Sequence, residues 1–140
     1  MRNSNFLLDT SALISYIENE PGVDDLDEMI RDGSVSVPWS ALLELYYITI
    51  QERDEEEALM RYASVRDAAE ITVLWQISEP LLLTAARIKA GNRLSFADAL
   101  VAAYAIEEDA ILVHKDPEFD QLDELVSVHR LPYKRNPDAR

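Results

Sequence analysis

The sequence predicts an α/β fold, a mainly parallel sheet covered by helices on both faces. Three observations predict it. Short apolar runs rich in branched residues alternate with longer amphipathic stretches, the order that strand–helix units produce. Hydrophobic residues make up 48% of the chain, with three glycines and six prolines, which excludes disordered and fibrous classes. The 140 residues match one domain and can enclose a core without staples, so a single domain over 1–140 is the expectation.

The elements follow in order. "NFLLD" reads as a first strand, and "TSALISYIE" as a helix that ends before Pro21 and Gly22. "DDLDEMIRDG" is a short helix closed by Gly33, "SVSVP" a second strand, and Pro38 opens the long helix "WSALLELYYITIQE". "DEEEALMRYASVRDA" is a helix with Asp54 as cap and Glu55 to Glu57 in the favourable first turn, an acidic run expected to be a solvated face. "EITVLW" is a third strand, "EPLLLTAARIKAGN" a helix ended by Gly91, and "SFADALVAAYAIEED" a helix started by Ser95. "AILVH" and "LVSVHRL" complete the sheet around a loop or short turn over "KDPEFDQL". Residues 131–140 are expected to form a loosely held tail.

The absence of cysteine excludes a disulfide framework, thiolate zinc sites and thiol nucleophiles. No apolar run approaches a membrane span and "MRNSNF" lacks the apolar stretch of a signal peptide, so a cytoplasmic protein with no membrane partner is expected. The net charge of −14 argues against a nucleic-acid partner, because phosphate affinity comes from Lys and Arg. The distribution softens that. Residues 1–86 carry 17 acids and 5 bases, whereas residues 87–140 carry 10 acids and 8 bases. Ten of the thirteen bases are arginine, a bias which on so acidic a chain fits a high-salt cytoplasm, where repulsion is screened.

Three acids stand out because each is the lone charge of a long apolar neighbourhood: Asp9 between Asn3 and Ile17, Glu44 between Ser34 and Gln51, Asp98 between Leu94 and Ile106. On a helix Glu44 shares a face with Ser40, Ala41, Tyr47 and Ile48, and Asp98 with Val101, Ala102 and Ala105, so both are expected to point inward. A buried, unpaired carboxylate costs several kcal/mol or takes up a proton, and these segments hold no arginine or lysine to pair with it. Asp116 follows the strand "AILVH", and an open parallel sheet gathers ligands beyond the carboxyl ends of its strands, where Asp9 also lies. An oxygen-only set at such an edge suits Mg2+ or Mn2+. Local roles compete: Asp9 also fits a helix cap, Asp98 a Ser95-x-x-Asp98 capping box, and Asp116 an ordinary turn, whereas Glu44 has no capping role in mid-helix.

Four segments, "LLDTSAL", "ALLELYY", "LSFADALVAAYA" and "ILVHKDPEF", resemble the motifs of the PIN-domain nucleases, and within them the VapC-type toxins of toxin–antitoxin pairs. The resemblance covers essentially the whole chain, and "LSFADALVAAYA" is its most specific part. It maps the family's acids onto Asp9, Glu44, Asp98 and Asp116 and its small polar residue onto Ser11. The chain departs from the family at His114, where Thr or Ser is usual, and at Glu118, where Asp is usual. What the resemblance implies is a three-layer α/β/α PIN-like domain with four to five strands, metal-dependent cleavage of RNA, homodimerisation, and inhibition by a small antitoxin protein.

On that basis Asp9, Glu44, Asp98 and Asp116 are expected to hold one or two Mg2+ or Mn2+ ions, with Ser11 orienting a water or phosphate oxygen and Thr10 capping the first helix. Arg87, Lys89 and Arg93 are candidate contacts to RNA phosphates, and an exposed remainder of Trp39, Tyr46 and Tyr47 would offer a groove to an amphipathic antitoxin helix. Alternatives are a free-standing RNA-processing PIN nuclease, a catalytically silent binding module, and a phosphoacceptor signalling domain. The last needs an acceptor aspartate ending the third strand, and "EITVLWQIS" has none. Nothing in the sequence brings His114 and His129 together for a histidine-type ribonuclease.

Overall fold

Five short strands, β1 (Phe6–Leu8), β2 (Val35–Pro38), β3 (Ile71–Leu74), β4 (Ile111–His114) and β5 (Val128–Arg130), form one sheet in the order β3-β2-β1-β4-β5, with every pairing parallel. The computed structural model describes residues 5–132. Six α-helices connect the strands: α1 (Thr10–Ile17), α2 (Val23–Arg31), α3 (Trp39–Glu52), α4 (Glu55–Arg66), α5 (Glu79–Gly91) and α6 (Phe96–Glu107). From β1 the chain progresses outward to β2 and β3, then returns to place β4 and β5 on the other side. The strand order therefore reverses between β1 and β4, the switch point at which open parallel sheets leave a crevice beyond their carboxyl ends.

Successive residues of a strand face opposite sides, and the central strands use both. Leu7 and Leu112 pack with Leu81, Ile88, Leu100, Tyr104 and Phe119 under α5 and α6. Leu8 and Val113 pack with Leu13, Leu26, Leu42 and Leu45 under α1, α2 and α3. These two cores are the outer seams of the three layers. Across the sheet edge, Trp39 Nε1 donates to the Tyr104 hydroxyl at 2.8 Å, and that hydroxyl donates to the Gln76 carbonyl at 2.5 Å.

The local signals set most boundaries. Asp54 accepts the Glu57 N–H at 2.8 Å, Ser78 the Leu81 N–H at 3.2 Å and Ser95 the Asp98 N–H at 3.1 Å, so α4, α5 and α6 each start on a side-chain cap. The acidic start of α4 is the solvated face expected, with Glu55 and Glu56 exposed; along it Tyr46 donates to Glu55 at 2.7 Å, and Glu57 pairs with the buried Arg61 at 3.3 Å. Of the loop or short turn expected here the structure has the turn, not an irregular loop: a 3-10 helix, Pro117–Leu122, capped by Asp116 and anchored by buried Phe119 and Leu122. Nor does a loose tail begin at 131. Leu131 is 1% exposed, donates its N–H to the His114 carbonyl at 2.8 Å, and packs against Gly22. Gly22 adopts a φ of +97°, and a Cβ there would meet Pro132 at 2.8 Å, so the turn into α2 needs glycine. Residues 133–140 of the expected tail lie outside the described residues.

Candidate metal centre at the carboxyl edge of the sheet

Asp9 follows β1 and is both cap and buried acid. Its Oδ1 accepts the Ala12 N–H at 2.8 Å, and the Ser11 hydroxyl donates to the same carboxylate from 2.8 and 2.9 Å. The Ser11 oxygen in turn accepts the Lys115 N–H at 2.8 Å, tying the end of β1 to the loop after β4. Ser11 therefore orients Asp9 directly, its one proton already committed. Thr10, expected to cap α1, donates instead to Glu44 Oε1 at 2.6 Å and holds that carboxylate over the start of α1. Glu44 is half-buried on α3, above the buried Ser40 and Ala41, while Tyr47 on the same face is exposed.

Asp98 sits in the first turn of α6. Its N–H serves the Ser95 cap, which leaves the carboxylate free to face the loop after β4. There, one oxygen each from Asp98, Asp116 and Glu118 lie within 4.8 Å of one another. Asp116 Oδ1 accepts the Glu118 N–H at 2.9 Å, so the turn that starts the 3-10 helix aims both acids at α6. Gln121 holds the two loops in register: it accepts the Arg93 N–H at 3.0 Å and donates to the carbonyls of Arg93 at 3.1 Å and Glu118 at 2.8 Å. Lys115 reaches away from the acids to Glu20 at 3.4 Å, and Ser15 donates to that same carboxylate at 3.0 Å.

None of the salt bridges among the described residues involves Asp9, Glu44, Asp98, Asp116 or Glu118. The charges instead act on one another. Burial pushes Asp9 from 3.8 up to about 7, with the charges of Asp98 and Asp116 adding to the rise and the hydrogen bonds from Ala12 and Ser11 opposing it. Burial likewise raises Asp98 to about 7, helped by the charges of Asp116, Glu44 and Glu118 and opposed by the bond with Ser95. A divalent cation would relieve both. Mg2+ binds oxygen at about 2 Å in an octahedron, so its opposite ligands stand about 4 Å apart. One oxygen each of Asp98, Asp116 and Glu118, all within 4.8 Å of one another, is the group at this edge that could share such an ion. An all-oxygen set without nitrogen or sulfur fits Mg2+ or Mn2+.

The structure thus brings Asp9, Ser11, Glu44, Asp98 and Asp116 to one edge, and adds Glu118 and Gln121. Glu118 entered the sequence reading as a departure from a motif; its position two residues after Asp116, across Asp-Pro, was the available signal. Gln121 gave none. Arg87, Lys89 and Arg93 are exposed, on α5 and the turn before α6. Among the described residues Arg53, Arg61, Arg66, Lys115 and Arg130 pair with carboxylates, and these three do not. His114 is fully buried, and burial holds its imidazole below the usual range; His129, on the neighbouring strand, lies 3.4 Å from Asp25.

No curated protein matches the sequence. Solved structures do match the fold. A chain of VapBC2 from Rickettsia felis, bound to a DNA fragment of its promoter, superposes with a TM-score of 0.74 at 16% identity, over 91% of this chain and 98% of that one. A chain of DNA-bound VapBC from Salmonella typhimurium gives 0.73 at 19% identity, over 91% and 98%. VapBC-5 from Mycobacterium tuberculosis, of the VapBC family of toxin–antitoxin systems, gives 0.62 at 20% identity, over 92% and 98%. The profile of the PIN domain matches residues 6–125, which hold Asp9, Glu44, Asp98, Asp116 and Glu118, and by that match the chain belongs to the PIN domain family.

Proposed function

We propose that this PIN-domain chain is a divalent-metal-dependent endoribonuclease, the toxin of a toxin–antitoxin pair, working in the cytoplasm as a homodimer. The observation that carries the reading is the meeting of five carboxylates without a salt bridge at the switch point of the sheet, two of them pushed to about 7. Asp98, Asp116 and Glu118, with Asp9 and Glu44 beside them, would hold one or two Mg2+ or Mn2+ ions. When bound, such an ion supplies Lewis-acid stabilisation of a phosphodiester and acidifies water beside it.

The chain's own residues do the rest. Ala12 and Ser11 fix the Asp9 carboxylate, Thr10 fixes Glu44, and the Ser95 cap sets the turn that carries Asp98, so the acids are aimed before substrate arrives. Arg87, Lys89 and Arg93 bind backbone phosphates beside the α6 turn, three bases without an intervening acid in an otherwise acidic chain. For an antitoxin helix, Leu43, Tyr47 and Ile50 present an exposed apolar face on α3 at helical spacing.

The test is cleavage of single-stranded RNA. Cutting in Mn2+ that stops in EDTA and is lost in a folded Asp98→Asn variant is the expected result; cutting in EDTA would refute the reading. Growth arrest on expression, relieved by the product of a small neighbouring gene, is expected of a toxin. Harmless expression would favour a free-standing RNA-processing nuclease.

A further inference from the structure

An imidazole holds the acid-bearing loop after β4. His114 closes that strand with no exposed surface, and its Nδ1 accepts the Asp116 N–H at 3.1 Å. A donor at that nitrogen requires it to be bare, so the neutral ring carries its proton on Nε2. Nε2 is itself buried without a hydrogen-bond partner among the described residues. As core filling this is a poor choice, since leucine or phenylalanine would pack the strand end without stranding a donor. What the ring provides and an apolar residue cannot is the acceptor for Asp116.

The geometry is a side-chain-to-backbone turn of the kind made by Asn, Asp, Ser and Thr, in which an acceptor on residue i takes the N–H of residue i+2. Asp116 repeats the move one step on, accepting the Glu118 N–H at 2.9 Å. The imidazole also packs on Phe119, ring centroids 5.1 Å apart, and Phe119 is fully buried. The ring is therefore clamped between the loop it holds and the anchor of the 3-10 helix.

We propose that His114 is a positioning residue: its Nδ1 fixes the Asp116 backbone and thereby sets Asp116 and Glu118 opposite Asp98 before a cation binds. This rests on the reading of the acid cluster as a cation site. Calorimetric titration with Mn2+, together with melting temperatures in EDTA, tests it on the full chain and its His114 variants. His114→Leu is expected to melt no lower than wild type in EDTA yet to bind Mn2+ roughly 10- to 100-fold more weakly, the usual loss when a partner that orients a ligand is removed.

His114→Asn places its Oδ1 where Nδ1 was and is expected to bind near wild-type affinity. His114→Gln keeps an amide but moves the acceptor to the Nε2 end, so it is expected to bind weakly. The Asn and Gln pair decides the matter should the leucine variant fail to fold. Equal affinity for Asn and Gln, or undiminished affinity in His114→Leu, would overturn the positioning role while leaving the cation site intact. A wild-type chain that binds no Mn2+ would overturn both.

Discussion

Replacing Asp9 by asparagine should stabilise the metal-free protein, and more so at high pH. Asp9 is raised from 3.8 to about 7 by burial and by its acidic neighbours, so across that window the folded chain holds a proton that the unfolded chain has released. The sign follows: this contribution to stability is complete below the unfolded value, falls as pH rises, and is lost above about 7. The slope in that window is about 1.4 kcal/mol per pH unit, so from about pH 5.5 to neutrality wild type loses roughly 2 kcal/mol through Asp9 alone. Asparagine behaves as the permanently neutral form, and its side-chain oxygen can still accept the Ala12 N–H that starts α1. Measured by calorimetry in EDTA at fixed ionic strength, the advantage of Asp9→Asn over wild type should grow by roughly 4–8 °C between about pH 5.5 and about pH 8.5. An advantage that does not change with pH would show that Asp9 holds no raised proton, and a variant less stable at both would show that its charge is needed for the cap.

Mn2+ at a hundredfold excess over its dissociation constant should stabilise wild type by about 2.7 kcal/mol. Asp98→Asn should raise the melting temperature in EDTA, cancel that metal response and abolish cleavage; a wild-type chain indifferent to metal would contradict the site. Neutralising Arg87, Lys89 and Arg93 together should reduce the slope of log affinity for single-stranded RNA against log salt by about 2, and an unchanged slope would move the phosphate contacts elsewhere. With a net charge of −14, folding and activity should improve as KCl approaches molar levels, because the Debye length falls to about 3 Å. Activity that is highest at low salt and declines steadily would contradict an adaptation to salt.

Asp9, Glu44 and Asp98 could be found in the sequence because a lone charge in an apolar stretch cannot be placed cheaply, and that cost is visible without coordinates. Asp9 is 3% exposed, which is what its surroundings required. Thr10 shows the limit of local rules. Asp9, Thr10 and Ser11 are all capping types, and only the backbone decides which stands at the cap; the extended ψ of 180° at Asp9 gives it the role and releases Thr10 to Glu44. Gln121 and Arg93 meet across 28 residues of sequence, a pairing set by how the 3-10 helix docks beside α6 and by no periodicity. Strand order was equally hidden. Alternating strands and helices imply a parallel sheet, but the reversal between β1 and β4 that makes the crevice depends on which side each crossover takes. Leu131 falls in the stretch expected as a loose tail, because terminal residues are loose unless tied down, yet its own side chain closes the core beside Gly22.

The central claim is that carboxylates and a divalent ion cut RNA with water as the nucleophile, and the ends of the product test it most directly. Water attacking in line and expelling the 3′ oxygen leaves a 5′-phosphate and a 3′-hydroxyl, whereas attack by the substrate's own 2′-hydroxyl leaves a 2′,3′-cyclic phosphate. The account predicts 5′-phosphate and 3′-hydroxyl ends on single-stranded RNA, cleavage that stops in EDTA and returns with Mn2+ or Mg2+, and cutting that survives a single 2′-deoxy substitution at the scissile nucleotide. Cyclic-phosphate ends, or undiminished cutting in EDTA, would contradict it and leave Asp9 as no more than the cap of α1.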